Sequence, residues 1–231
     1  MTVAVSACLA GEKVRYDGDD RRLPVYPLLH TALQLEPICP ELGAGLGVPR
    51  PPVRLVENQN ELRALGRDNP ALDVTAVLQR FAQQSLTLIS SQHQLCGYLW
   101  KSRSPSCGFG STPIFTADGI ESDRGSGIQA AYFQRQLPHL SYGEETELTT
   151  ENSALAFILR CRIVFDVLYA TRAALSDLHR HYIFLHENFD RQTVVSLEKL
   201  AAENYREDYL TALLIGCRQM PEKLLLRLFI G

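Results

Sequence analysis

Three times within the first 108 residues an apolar run breaks into a loop bearing glycine or proline, and each of these loops carries a cysteine. Val3-Ala4-Val5-Ser6-Ala7 ends in Cys8-Leu9-Ala10-Gly11, and Leu35-Glu36-Pro37-Ile38 leads into Cys39-Pro40-Glu41. Cys96-Gly97-Tyr98-Leu99-Trp100 opens into Lys101-Ser102-Arg103-Ser104-Pro105-Ser106-Cys107-Gly108. Short apolar runs bounded by turn residues read as buried strands. Helical patterns lie between and after them. Leu23 to Leu35 can form a helix, and Val77, Leu78, Phe81, Leu86 and Ile89 recur at helical spacing, with Asp73 or Thr75 as N-cap. Ile128 to Gln136 follows Gly125-Ser126-Gly127 as another helix. Strands and helices alternating to about residue 140 predict an α/β fold, a mainly parallel sheet with flanking helices.

In sheets of this kind ligands bind beyond the carboxyl ends of the strands, where the loops converge. Cys8, Cys39 and Cys107 are therefore expected at one edge, although no local CxxC pair announces it. The other three cysteines differ. Cys96 sits inside a strand pattern, and Cys161 and Cys217 sit in helical ones, so all three read as small buried hydrophobes. Gly43, Gly45 and Gly47 match neither a dinucleotide nor a Walker pattern, and are expected to let the backbone approach a bound group closely. His179, His181 and His186 with Glu187 suggest a metal site, but positions 179 and 181 point to different helix faces.

With 23 basic and 26 acidic residues the formal net charge is -3, which does not support an extensive nucleic-acid interface and favours a small-molecule substrate. The N-terminus runs straight into an apolar strand without a basic leader segment, so a cytoplasmic protein is expected. The stretch Ala154 to Ala170 is interrupted by Arg160, Arg162 and Asp166, which predicts a buried helix and no membrane span. Past the polar segment Ser141 to Thr150 the pattern is helical through Leu178, again over Thr193 to Ala202, Tyr209 to Cys217 and Leu224 to Phe229. Two parts are expected: residues 1–147, and a small all-helical region over 148–231 whose role the sequence does not give. The apolar end from Leu224 reads as a docked helix or a contact with a partner subunit.

The motifs Ser6-Ala7-Cys8-Leu9-Ala10-Gly11, Val14-Arg15-Tyr16-Asp17-Gly18, Cys39-Pro40-Glu41 and the octapeptide ending in Cys107-Gly108 together resemble the DUF523 family, whose characterised activity is thiouracil desulfidase. The resemblance covers about residues 1 to 145, including Asp73-Val74-Thr75, and leaves the helical region outside. It implies a 4Fe-4S cluster bound by Cys8, Cys39 and Cys107, with the fourth iron open to the substrate's sulfur. It also implies a non-redox, hydrolytic desulfuration assisted by a glutamate and a serine. By motif the glutamate falls on Glu41 and the serine on Ser102, with Ser104 and Ser106 in the same loop as alternatives. Where the common family form has two leucines after the first cysteine, Leu9-Ala10 stands here.

Such a site suits the chemistry, because a soft thiocarbonyl sulfur matches a thiophilic Lewis acid and only a three-thiolate cluster leaves a coordination position free. Glu41 is expected to take a proton from the attacking water, Ser102 to position that water or relay its proton, and uracil and hydrogen sulfide to leave. Lys101, Arg103 and Arg15 can orient an anionic or carbonyl-bearing ring. Asp17 is a substrate-binding candidate as well as a turn former before Gly18. Cluster-assembly machinery is the expected partner for maturation. Two other readings stand beside this one. One is sulfur insertion into a tRNA base or metabolite, which calls for an ATP-binding loop not seen here; the other is a zinc-binding or cluster-sensing module without turnover.

Overall fold

The computed structural model describes residues 1–58, 61–170, 175–183, 185 and 189–220. In chain order the strands are β1 (Thr2–Ser6), β2 (Gln34–Ile38), β3 (Val53–Asn58), β4 (Glu61–Gly66), β5 (Leu95–Trp100), β6 (Thr112–Phe115), β7 (Glu121–Gly125) and β8 (Ser141–Glu144). The helices are α1 (Tyr26–Ala32), α2 (Pro40–Gly43), α3 (Thr75–Gln92), α4 (Ile128–Gln136), α5 (Glu151–Phe165), α6 (Leu175–Tyr182), α7 (Arg191–Ala202) and α8 (Arg206–Gln219).

One sheet has the order β2-β1-β5-β8 and is parallel throughout. Ser6 pairs with Ile38 and Trp100 with Glu144, so all four strands deliver their following loops to the same edge. The helix expected over Leu23 to Leu35 ends at Ala32, because Gln34 onward joins β1 as an edge strand. An edge position also tolerates Pro37, whose missing N–H would break a central ladder.

Strand alternation gives this sheet two distinct faces. Tyr98 and Trp100 point to one, where Phe133 of α4 meets both rings edge-on at centroid distances of 5.2 and 5.7 Å. Burying an aromatic ring of this kind contributes about 1.5–3 kcal/mol. Gly97 lies on the other face, where α5 crosses. A methyl group there would come within 2.4 Å of the Ser141 carbonyl oxygen and 3.1 Å of the Cys161 sulfur.

A second, mixed sheet has the order β4-β3-β6-β7, with β3 and β6 parallel and the outer pairs antiparallel. Its Leu55, Ala64 and Ile114 pack on Val74 before α3, Leu78 of α3 and Ile128 of α4. Farther along α3, Ile89 belongs to the core of the parallel sheet, so this helix joins the two sheets.

Helix α5 opens with a capping box between Thr150 and Ser153 and runs on into a wide turn over Asp166–Ala170. Its Phe157, Cys161 and Val164 share one continuous core with β1 and β5 and with Tyr209, Leu213 and Cys217 of α8. The stretch 145–147, next to the boundary expected from the sequence, is a single helical turn that precedes α5. His179 is buried with its ring against Tyr209, and His181 is exposed. His186, Glu187 and the apolar end from Leu224 lie outside the described residues. Among the described residues no helix is long and apolar enough to cross a membrane.

Candidate active site

Three strand ends of the parallel sheet each present one thiol. Cys8 follows β1 in a tight helical turn over Ala7–Ala10, which Gly11 closes at φ 97°. Cys39 ends β2 and stands just before Pro40, the first residue of α2, with its carbonyl accepting the Gly43 N–H at 2.9 Å. Cys107 rides on the loop after β5, and that loop docks on the N-terminus of α4. The Pro105 carbonyl accepts from the Ile128 N–H, and the Ser106 carbonyl from the Gln129 N–H, both at 3.0 Å. These bonds satisfy helix donors that would otherwise be orphans. Inside the loop the Ser104 hydroxyl oxygen accepts from the Ser106 and Cys107 N–H groups at 3.3 and 3.2 Å.

All three cysteines line one cavity of about 450 Å³, together with Glu41, Lys101 and Ser102. Burial pushes the Cys8 thiol up to about 11, with a further contribution from Cys39. Burial likewise raises Cys39, and it raises Cys107 well above the usual thiol range, with both other thiols adding to the effect. The three sulfurs are thus close enough for a charge on one to be felt by the others. Soft donors of this sort, neutral while alone, suit a cationic metal-sulfur centre that stabilises their thiolate forms. Among the described residues, no group of three or more His, Cys, Asp or Glu side chains is placed to hold a single metal ion. Cys96, Cys161 and Cys217 are fully buried in the hydrophobic core, as their sequence setting predicts, and do not line the cavity.

Two carboxylates brace the site. Glu41, on α2, accepts from Arg50 Nε at 2.6 Å through one oxygen and from the Ser106 hydroxyl at 3.0 Å through the other. Arg50 is itself fixed by the Val14 and Gly47 carbonyls, each 2.9 Å from Nη1. The second carboxylate is Glu145, directly after β8. It accepts from the Ser102 N–H and hydroxyl, both at 2.6 Å, and from the Lys101 ammonium. Its neighbour Glu144 holds the far arm of the same loop, accepting from the Phe109 N–H and the Ser111 hydroxyl at 2.6 Å each. Burial raises the Glu144 carboxyl above its ordinary range.

The family model of 2-thiouracil desulfurase matches residues 3–145. The chain belongs to the 2-thiouracil desulfurase family. A solved structure of the 4Fe-4S-dependent thiouracil desulfidase TudS is 33% identical, with a TM-score of 0.54 over 68% of this chain and 98% of that one. The uncharacterized protein YbbK of Bacillus subtilis is 29% identical over 140 residues, covering 58% of this chain and 89% of its own. The stretch matched to the desulfurase family takes in both sheets and ends at Glu145.

Of the residues singled out by sequence, Cys8, Cys39, Cys107, Glu41, Ser102, Lys101, Arg15 and Arg103 line the cavity. Ser104 lines it too, whereas Ser106 stands behind Glu41 as a hydrogen-bond donor. Asp17 is not part of the lining; it accepts from Arg15 Nε at 3.3 Å and from the Asp19 N–H at 3.2 Å. Arg50, Arg67 and Glu145 were missed. Arg50 leaves a sequence trace, since it follows Val48-Pro49 at the exit of the second cysteine loop. Glu145 leaves one only if β8 is recognised as the fourth strand ending at this edge.

Proposed function

We propose that this chain is a 4Fe-4S-dependent desulfidase that hydrolyses a thiolated pyrimidine such as thiouracil to the oxo base and hydrogen sulfide. The observation that carries this reading is the meeting of Cys8, Cys39 and Cys107, each from a different strand end, in one cavity beside Glu41. Membership of the desulfurase family and the likeness to TudS support it.

Cys8, Cys39 and Cys107 would hold the cluster. When bound, it supplies a thiophilic Lewis acid for the substrate's sulfur, since three protein ligands leave one metal position free. The protein side of the reaction falls to the cavity walls. Glu41, held between Arg50 and Ser106, keeps lone pairs free to accept a proton from water. Its ion pair is largely buried, which fixes the orientation of the carboxylate. Arg15, steadied by Asp17, and Arg103 offer guanidinium donors to ring oxygens. Water adds to the thiocarbonyl carbon, its protons leave with the sulfur as hydrogen sulfide, and no electron changes hands. We place the enzyme in the cytoplasm, with cluster-assembly machinery loading it.

Anaerobic reconstitution followed by incubation with 2- or 4-thiouracil, without ATP, tests the reading through released sulfide. Strict dependence on ATP would turn the assignment to sulfur insertion. A colourless protein that binds zinc and releases no sulfide would make it a binding module.

A further inference from the structure

We propose that Glu145, which stands behind the cavity wall, is the positioning residue that aims Ser102 and Lys101 for the reaction. This rests on the desulfidase reading and adds to it a residue from a fourth strand end.

Glu145 is the first residue after β8, and its side chain is 16% exposed. Its Oε2 accepts from the Ser102 N–H, and its Oε1 from the Ser102 hydroxyl and the Lys101 ammonium. A serine hydroxyl has one proton and two lone pairs. Here the proton is committed to Glu145, and one lone pair accepts from Lys101 Nζ at 3.2 Å. One lone pair remains, so towards the cavity Ser102 can only accept.

That restriction decides what Ser102 does with water. Glu41 is also an acceptor, and both residues line the same cavity. A water shared between them directs one O–H bond to each and turns its own lone pair towards the substrate carbon. Were the serine proton free, Ser102 could donate to that lone pair and blunt the attack. Glu145 therefore acts through Ser102 by fixing the direction of one hydrogen bond.

Bracing the loop does not account for this arrangement. Glu144 already anchors the far arm at Phe109 and Ser111, and the N-terminus of α4 holds Pro105 and Ser106. The loop thus has two other attachments when Glu145 is changed.

The test uses the cluster-loaded full chain with Glu145→Gln and Glu145→Asp. For Glu145→Gln we expect kcat to fall about 10²-fold, the scale of a lost proton-handling contact. KM should stay within about threefold, because substrate binding is not what the contact serves. Iron per chain and the thermal midpoint should match the wild type, and Glu145→Asp should recover part of kcat. A crystal structure of the glutamine variant should show the Ser102 hydroxyl turned from its wild-type rotamer. Wild-type kcat in Glu145→Gln, or iron and thermal stability falling in step with activity, would overturn the proposal. If the wild type itself releases no sulfide, the desulfidase reading fails separately. The Ser102 rotamer then decides the positioning claim: an unchanged rotamer sinks it, and a turned one sustains it.

Discussion

Gly127 lies so close to Ser106 that a methyl group on its Cα would come within 2.5 Å of the Ser106 carbonyl carbon and 2.8 Å of the Cys107 nitrogen. Those neighbours are backbone atoms, so relief requires the cysteine loop itself to move. Gly127→Ala should therefore weaken cluster retention by about 10- to 100-fold, the range seen when outer supports of metal ligands are lost. Iron per chain and visible absorbance after gel filtration measure this, with circular dichroism confirming that the sheets persist.

Glu41→Gln keeps the shape of the side chain and removes its charge. Turnover should fall by about 10²- to 10⁴-fold while the cluster stays bound. Arg50→Met should lower turnover by a different route, because it leaves Glu41 without its ion-pair partner in a largely buried setting. Single-turnover rates and iron content, measured on both variants, separate loss of the proposed base from loss of its support.

The six cysteines divide into two groups by what surrounds them. Cys8→Ser, Cys39→Ser and Cys107→Ser should each remove the visible absorbance of the reconstituted protein. Cys96→Ala, Cys161→Ala and Cys217→Ala should keep both colour and turnover, at a cost in stability of about 1–2 kcal/mol each for the lost buried sulfur. Loss of colour in any of this second group would contradict the three-ligand assignment.

His139 gives a stability test in mild acid. Burial holds its imidazole below the ordinary value of 6.5, against a weaker opposing pull from Glu207. Below that value the unfolded chain binds more protons than the folded one, so this contribution is complete above about pH 6.5 and is lost as pH falls. His179, lowered by burial in the same way, adds to the slope. Denaturant midpoints between about pH 7 and 5 should decline in the wild type and decline less in His139→Gln.

The cysteine-bearing strand ends were legible in the sequence because apolar runs breaking into glycine- or proline-bearing loops have few other meanings. Helix α3, to within a residue or two, was legible from apolar spacing, and α4 from its place after Gly125-Ser126-Gly127. Strand β8 was not, since Ser141-Tyr142-Gly143-Glu144 reads as polar although all four residues are buried. Its burial comes from pairing with β5 and covering by α5, neither of which is a local property. The mixed sheet escaped for a related reason, since β3 and β4 carry two charged residues each and β7 three, which breaks the apolar pattern of a strand. Glu41 could be picked by motif, but its partner Arg50 depends on how the chain returns after the glycines. Glu145 reaches Ser102 across 43 residues, a contact that only the assembled sheet creates.

The supports of the third thiol come late in the chain. Cys8 and Cys39 emerge early in synthesis, but Gly127 and Glu144, which set the Cys107 loop, lie up to 37 positions beyond that cysteine. A ribosome that has just released residue 107 has exposed all three sulfurs without the architecture that aims them. The Cys107 loop accordingly takes up its described setting only once β8 is in place.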